Sequence, residues 1–281
     1  MHKFAYHEPK TVGEACSLLQ TYGNEAKILA GGTDLLIKFR NGVIAPQQVV
    51  NIKKIPGIGD VSLKNEELHI GAAATMSNVE KALAEIPEYQ VLAQALHSVA
   101  SCQIRNRATI AGNLCNASPA ADVVPALVVL GASVIIAGPE GERQVLAEAF
   151  CTAPGKTVLT GGEWVTKIIV PAVSAAAKGK YLKHSRRRMV DLATVGLAIF
   201  REGLDIRIAL GAVGPTVIRA RAAEALLREN GLDETVVRKA ALLAAQAAAP
   251  ISDIRSTREY RQHIVEILIL RGLNDLREGT A

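Results

Sequence analysis

The segment Lys27-Ile28-Leu29-Ala30-Gly31-Gly32-Thr33-Asp34-Leu35-Leu36 constrains the fold more than any other stretch of this chain. An apolar strand empties into paired glycines, and a helix follows directly. Paired glycines admit positive φ and close backbone approach, and a helix start exposes N–H groups that have no partner within the helix. A pyrophosphate fits such a turn. A tight strand-to-helix turn capped by Thr33 or Asp34 fits it as well, so the segment alone leaves both readings open. Around it, apolar periodicity predicts a helix over 12–22, a strand over 26–29, a helix over 34–39 and a strand over 48–52, a compact βαβ-like unit.

Arg105-Asn106-Arg107-Ala108-Thr109-Ile110-Ala111-Gly112-Asn113-Leu114 reads as a second small-residue loop, with a hydroxyl and an amide. Alone it also describes a surface loop capped by Thr109 and Asn113. Two such loops in different units point to a ligand held between them. Asp122, near a predicted helix start, is placed either to accept from ribose or ribityl hydroxyls or to complement the helix dipole. Other nucleotide signatures fail. Gly155-Lys156-Thr157 lacks the earlier glycine of a phosphate loop, since position 150 is Phe150, and Gly57-Ile58-Gly59 lacks the third glycine of a dinucleotide fingerprint, since position 62 is Ser62. No Gly-x-Ser-x-Gly occurs, and no residue is nominated as a catalytic acid, base or nucleophile. Cysteines at 16, 102, 115 and 151 and six dispersed histidines have neither zinc nor iron–sulfur spacing, so no protein-built metal site is expected.

A chain of 281 residues exceeds one ordinary domain. The Pro56-Gly57-Ile58-Gly59 cluster and the small-residue stretch 172–179 divide it into expected units at 1–55, 56–172 and 178–281. The middle unit is expected to be α+β, with strands over 61–63, 68–70, 133–137, 142–145 and 163–170. Its helices are expected over 77–85 with Ser77 as cap, over 88–98, and from Ser118-Pro119 to Leu130. The third unit is expected to hold strands over 181–184, 194–200 and 204–211, then helices over 219–230, 233–248 and 257–273. The net charge of +5 permits an anionic partner, but four Phe, five Tyr and one Trp are few for base stacking, so nucleic acid is not expected. Lys178, Lys180, Lys183, Arg186, Arg187 and Arg188 read as a solvated strand and loop, with Lys183 placed to point inward. No N-terminal signal pattern is visible, and the longest uncharged run, 123–139, is broken by Pro125 and Gly131. No membrane insertion and a cytoplasmic location are therefore expected.

Three blocks in order carry a resemblance: 30–36, then Gln103-Ile104 leading into the second loop, then Asn116-Ala117-Ser118-Pro119-Ala120-Ala121-Asp122. With Gly211-Ala212-Val213-Gly214-Pro215-Thr216 and the stretch from Ser252 to Arg261, the chain resembles over its whole length the FAD-binding subunits of molybdenum hydroxylases. That family includes xanthine and carbon monoxide dehydrogenases. The resemblance implies a two-part FAD-binding domain, a small βαβ-like unit plus a larger α+β sheet unit, followed by an α+β domain of three strands and a helical bundle. It implies that Ile28, Leu29, Ala30, Gly31, Gly32, Thr33, Asp34 and Leu35 wrap the FAD pyrophosphate. Thr109, Ile110, Ala111, Gly112 and Asn113 would form the second clamp, Asp122 would hold a sugar or ribityl hydroxyl, and Val165 and Lys183 would also approach the cofactor. Ala111 stands where the family has glycine, which requires negative φ and no direct phosphate contact there. The scattered cysteines exclude the variant with an extra iron–sulfur cluster in this subunit. The implied partners are an iron–sulfur subunit and a molybdopterin-binding subunit, with electrons leaving to NAD⁺ or another acceptor. The likeness of Asn113-Leu114-Cys115-Asn116-Ala117-Ser118 to bacterial xanthine dehydrogenase flavin subunits implies a purine or similar heterocycle as substrate. A stand-alone FAD oxidoreductase, or an assembly subunit that has lost FAD, are the alternatives.

Overall fold

A parallel sheet of three short strands opens the computed structural model, which describes residues 3–188 and 190–278. Residues 1–2 and 279–281, at the ends of the expected first and third units, lie outside the described residues. The first elements are β1 (Ala5–His7), α1 (Val12–Tyr22), β2 (Ala26–Leu29), α2 (Leu35–Arg40) and β3 (Gln48–Asn51), with β3 central and parallel to both neighbours. Thr11 Oγ1 accepts the Glu14 N–H to start α1, and Gly23, at φ 50°, ends it by donating its N–H to Leu19 O. In the β2–β3 register Leu29 stands opposite Asn51, so the turns leaving both strands lie at one edge of the sheet.

The next elements are β4 (Val61–Lys64), β5 (Glu67–Gly71), α3 (Met76–Ala82), α4 (Gln90–His97), α5 (Cys102–Arg105), α6 (Ile110–Cys115) and α7 (Val123–Val129). They lead to β6 (Ser133–Gly138), β7 (Gly141–Leu146), α8 (Ala147–Phe150), the hairpin β8 (Cys151–Ala153) and β9 (Lys156–Thr157), and β10 (Trp164–Val170). The five long strands form an antiparallel sheet ordered β4-β5-β10-β6-β7. Every residue of α7 is buried, as an apolar helix between two layers must be.

The chain closes with β11 (Lys178–His184), β12 (Val195–Glu202), β13 (Asp205–Gly211), β14 (Ile218–Arg219), α9 (Arg221–Asn230), α10 (Glu234–Ala247) and α11 (Arg258–Glu278). The four strands form an antiparallel sheet in sequence order, covered on both faces. Ala198, Phe200 and Ala209 point into the core shared with α4 and α7. The alternate positions Val195, Leu197, Ile199, Ile206, Ile208 and Leu210 point into a second core with α9, α10 and α11. That period of two explains why these strands read as near-continuous apolar runs. Among the described residues, no helix is long and apolar enough to cross a membrane.

Several expected boundaries move. Thr75 rather than Ser77 caps α3, its hydroxyl accepting the Asn78 N–H. The helix expected from Ser118-Pro119 starts at Val123, because Ala117 sits at φ 47° and Pro119 O accepts the Ala212 N–H, which draws 117–119 into tertiary contacts. The loop expected after residue 98 contains α5 and α6, and β14 adds a fourth strand to the three expected in the last unit.

Arg143 on the edge strand β7 grips Glu163 through both carboxylate oxygens, at 2.6 Å from Nε and 2.8 Å from a terminal nitrogen. The hydrogen bonds from Arg143 hold the Glu163 carboxyl down to about 2. A depressed folded value contributes stability above the ordinary carboxylate range and loses it as pH falls toward that value. The urea midpoint is therefore expected to fall on acidification from 4.5 toward about 2. Arg143→Met should flatten that part of the profile, and an unchanged profile would contradict the assignment.

Candidate functional site

Past Leu29 the chain turns through Gly31 and Gly32 into α2. A Cβ on Gly31 would stand 2.1 Å from the backbone oxygen of Arg107 and 2.9 Å from Ala108 Cα, so the two loops touch only because residue 31 is glycine. Gly32 has φ +78°, and a Cβ there would meet Leu29 Cδ1 at 2.8 Å. Asp34 occupies the cap position of α2, but its side chain makes no capping bond. Among the described residues, no hydrogen bond is donated by the N–H groups of Gly31, Gly32, Thr33, Asp34 or Leu35. An ordinary capped turn would have satisfied part of that row. Residues 28–33 are half-buried, so these donors stand at the strand-to-helix turn between solvent and core. Lys53, just beyond β3, donates from Nζ to Ala30 O at 3.0 Å.

The second loop is a helix start. Thr109 caps α6, its Oγ1 accepting the Gly112 N–H at 2.9 Å, and the strand-like pairing of Thr75 with Thr109 ties it to the sheet unit. Ala111 is helical, lies outside the residues with positive φ and buries its methyl at 5% exposure. The conformational condition for replacing glycine there is met. Among the described residues, Asn113 Oδ1 is buried without a hydrogen-bond partner. An orphaned acceptor in the second loop and a row of orphaned donors in the first suit a ligand that carries both phosphate oxygens and hydroxyls. Lys38 on α2 donates to Asn116 Oδ1 at 2.6 Å and ties α2 to the C-terminal end of α6.

Asp122 and Lys183 meet at the layer boundary. Asp122 accepts from Tyr181 Oη at 2.7 Å through one oxygen and from Lys183 Nζ at 2.9 Å through the other, and Lys183 also donates to Ser98 O at 3.1 Å. Burial pushes the Asp122 carboxyl above its ordinary range, outweighing the Lys183 charge and the hydrogen bonds from Lys183 and Tyr181. Burial, then the neighbouring Asp122 charge, drives the Tyr181 hydroxyl well upward. Val165 has its side chain in the core, at 4% exposure, opposite Ile136 and beside a bulge in β10, the strand that packs against α6. The diglycine turn thus meets the Arg107–Ala108 backbone directly ahead of 109–113, Asp122 pairs with Lys183, and the Val165 side chain faces the core.

Tyr181, Lys53, Ser98 and the Lys38–Asn116 pair were not among the expected site residues. Tyr181 lies two positions from Lys183 on one strand, so the shared face was available as a signal. Lys53 and Ser98 had no comparable signal, since each depends on which strand or helix end pairs beside it.

The FAD-binding-domain family of molybdopterin dehydrogenases, described as "FAD binding domain in molybdopterin dehydrogenase", matches residues 2–173. The family described as "CO dehydrogenase flavoprotein C-terminal domain" matches residues 180–276. The chain belongs to this family of FAD-binding flavoproteins and is an oxidoreductase component. More particularly, it is 30% identical to the carbon monoxide dehydrogenase medium chain of Hydrogenophaga pseudoflava, over 97% of this chain and 96% of that one. It is 29% identical to the xanthine dehydrogenase FAD-binding subunit of Escherichia coli, over 98% and 97%. Among solved structures, the Hydrogenophaga pseudoflava carbon monoxide dehydrogenase superposes with TM-score 0.91 at 33% identity, covering 97% of this chain and 96% of that chain. Quinoline 2-oxidoreductase from Pseudomonas putida 86 gives 0.90 at 28%, covering 99% and 98%. The cradle at Gly31, the unspent N–H row and the orphaned Asn113 oxygen are a donor and acceptor set that fits FAD.

Proposed function

We propose that this chain is the electron-relay subunit of a molybdenum hydroxylase whose substrate, a purine or similar N-heterocycle, is turned over at a molybdopterin centre on another chain. When bound, FAD supplies the redox chemistry that takes electrons from an iron–sulfur subunit and passes them to NAD⁺ or another acceptor. The observation that carries this reading is the Gly31 contact, where the diglycine loop and the Arg107–Ala108 backbone close into a donor-lined cradle. In it, residues 28–35 wrap the diphosphate, the unspent N–H groups of 31–35 supplying the donors, and residues 109–113 form the opposing clamp. Asp122 carries two lone-pair sites on each oxygen, of which Tyr181 and Lys183 occupy one each, so it retains capacity for a sugar or ribityl hydroxyl. Lys183 holds that carboxylate in place, and Val165 backs the site from the core. The chain's own task is binding, orientation and water exclusion, and none of its residues acts as acid or base.

The substrate class is supported by likeness to proteins named for xanthine and for quinoline. The division at 1–55, 56–172 and 178–281 and a cytoplasmic location belong to the same proposal. Co-expression with an iron–sulfur chain and a molybdopterin chain provides the test. The three are expected to co-purify, with substrate reducing the flavin only in the complex. Turnover by this chain alone would overturn the relay assignment.

A further inference from the structure

Resting on the multi-subunit reading above, we propose that the turn 251–256 is a docking knuckle whose Ile254 seats in an apolar, carboxylate-rimmed pocket of the iron–sulfur chain. Ile254 is 93% exposed and Ile251 73%, yet the turn that displays them is tightly bound. Asp253 N donates to Ser256 O at 3.0 Å, and Asp253 Oδ1 accepts from Arg255 N at 2.8 Å, Ser256 N at 3.1 Å and the Arg261 guanidinium at 2.8 Å. Ser252 Oγ accepts the Arg258 N–H at 2.9 Å and joins the turn to the start of α11. Arg261 is buried, at 4% exposure, and its other terminal nitrogen donates to Thr194 O at 2.9 Å and Ala212 O at 3.0 Å. Its neighbour Tyr260 brings Oη to 3.2 Å from His184 Nε2. Consecutive residues of α11 therefore hold His184 and Thr194 beside the knuckle, and Val190 and Leu192, between those two in the chain, are exposed.

A lone exposed isoleucine needs no explanation, but a group of apolar side chains on a hydrogen-bonded turn loses little freedom on burial, as an interface anchor requires. The surroundings set the partner's charge. Arg186, Arg188 and Arg258 are exposed and enter no ion pair among the described residues, whereas Asp191 and Asp253 are already taken by Arg187, Arg255 and Arg261. Glu259 is the remaining carboxylate of the two segments. An apolar tip inside an arginine rim fits an apolar pocket edged with Asp and Glu. Position selects the chain. His184 follows Lys183 on β11, so this surface adjoins the Asp122–Lys183 end of the proposed flavin site, where the chain that delivers electrons must come close.

The test pairs the full chain, loaded with FAD, with the iron–sulfur chain, and reads affinity by calorimetry at low and high salt. Ile254→Asp is expected to weaken the pairing at least about tenfold, and Arg258→Glu to weaken it with a shallower salt dependence. Leu204→Asp, in the turn between β12 and β13 at 75% exposure, should leave affinity unchanged. Flavin absorbance and melting curves matched to the unaltered chain establish that the variants fold. Unchanged affinity in Ile254→Asp, while the unaltered chain binds, would overturn the knuckle and leave the relay reading intact. An equal loss in Leu204→Asp would also overturn it, as the effect of any added surface charge. In the three-chain complex, a photoreactive benzoylphenylalanine at position 254 should cross-link to the iron–sulfur chain. Cross-linking to the molybdopterin chain, or to a second copy of this chain, would overturn the choice of partner. Failure of the unaltered chain to bind the iron–sulfur chain would instead remove the relay reading, and the knuckle with it.

Discussion

Replacing Gly31 with alanine is expected to empty the flavin site. The added methyl would stand 2.1 Å from Arg107 O and 2.9 Å from Ala108 Cα, both backbone atoms that cannot rotate away. That backbone is itself fixed, since Ala108 O accepts the Met76 N–H at 2.8 Å and Ala108 N donates to Ile104 O at 2.7 Å. The loops must therefore separate. The overpacking costs about 1–3 kcal/mol of stability, while a clamp whose halves no longer meet loses the geometry of several donors together. FAD affinity is expected to fall by about two orders of magnitude, the equivalent of two lost charge-assisted contacts. Gly32→Val should act similarly, through its φ of +78° and the Leu29 contact. Gly42→Ala is the control: its φ is +71° but its side-chain space is open, so it carries backbone strain without touching the diglycine loop. Flavin absorbance per chain after purification reads the difference. Full flavin retention in Gly31→Ala would refute the cradle.

Asp122→Ala is expected to destabilise the flavin-free chain by about 3–5 kcal/mol, because it strands a buried ammonium. The side chains of Lys183 and Asp122 are 13% and 8% exposed, and among the described residues Ser98 O is the one acceptor Lys183 would keep. The double variant Asp122→Ala with Lys183→Met removes both charges and should regain part of the loss, which a purely volumetric effect would not. A pH signature accompanies it. Since burial raises the Asp122 carboxyl, the folded chain holds that proton more tightly than the unfolded chain does. Its contribution to stability is therefore greatest below the ordinary carboxylate range and is lost as pH rises through the folded value. Lys183 restrains that loss. Lys183→Met should thus lose more stability than the unaltered chain as pH rises above the ordinary carboxylate range. Parallel urea midpoints in the two proteins would contradict this.

The sequence exposed those elements whose pattern is local. The apolar stripe of α1, closed by Gly23, and the alternation in β12 and β13 need only neighbours in the chain to be read. The helices α5 and α6 span four and six residues, too short for a period of 3.6 to emerge, and Gly112 and Asn113 are poor helix formers. Tertiary bonds decided the start of α7, where Ala117 O takes the Gly155 N–H and Pro119 O the Ala212 N–H, overriding a plausible Ser-Pro cap. At the site, the glycines and Thr109 were legible because their chemistry is in their own residues. The meeting of Gly31 with Arg107, the reach of Lys53 to Ala30, and the pairing of Asp122 with Tyr181 and Lys183 depend on how separate layers stack, which no local pattern records.

The central claim, that this chain by itself builds an FAD site, is tested most directly by flavin stoichiometry. The full chain, purified without partners and incubated with FAD, is denatured, and the released flavin is identified and counted. One FAD per chain, released as the intact dinucleotide, is the expected result. A folded chain that retains no flavin and shows no saturable FAD binding would contradict the account.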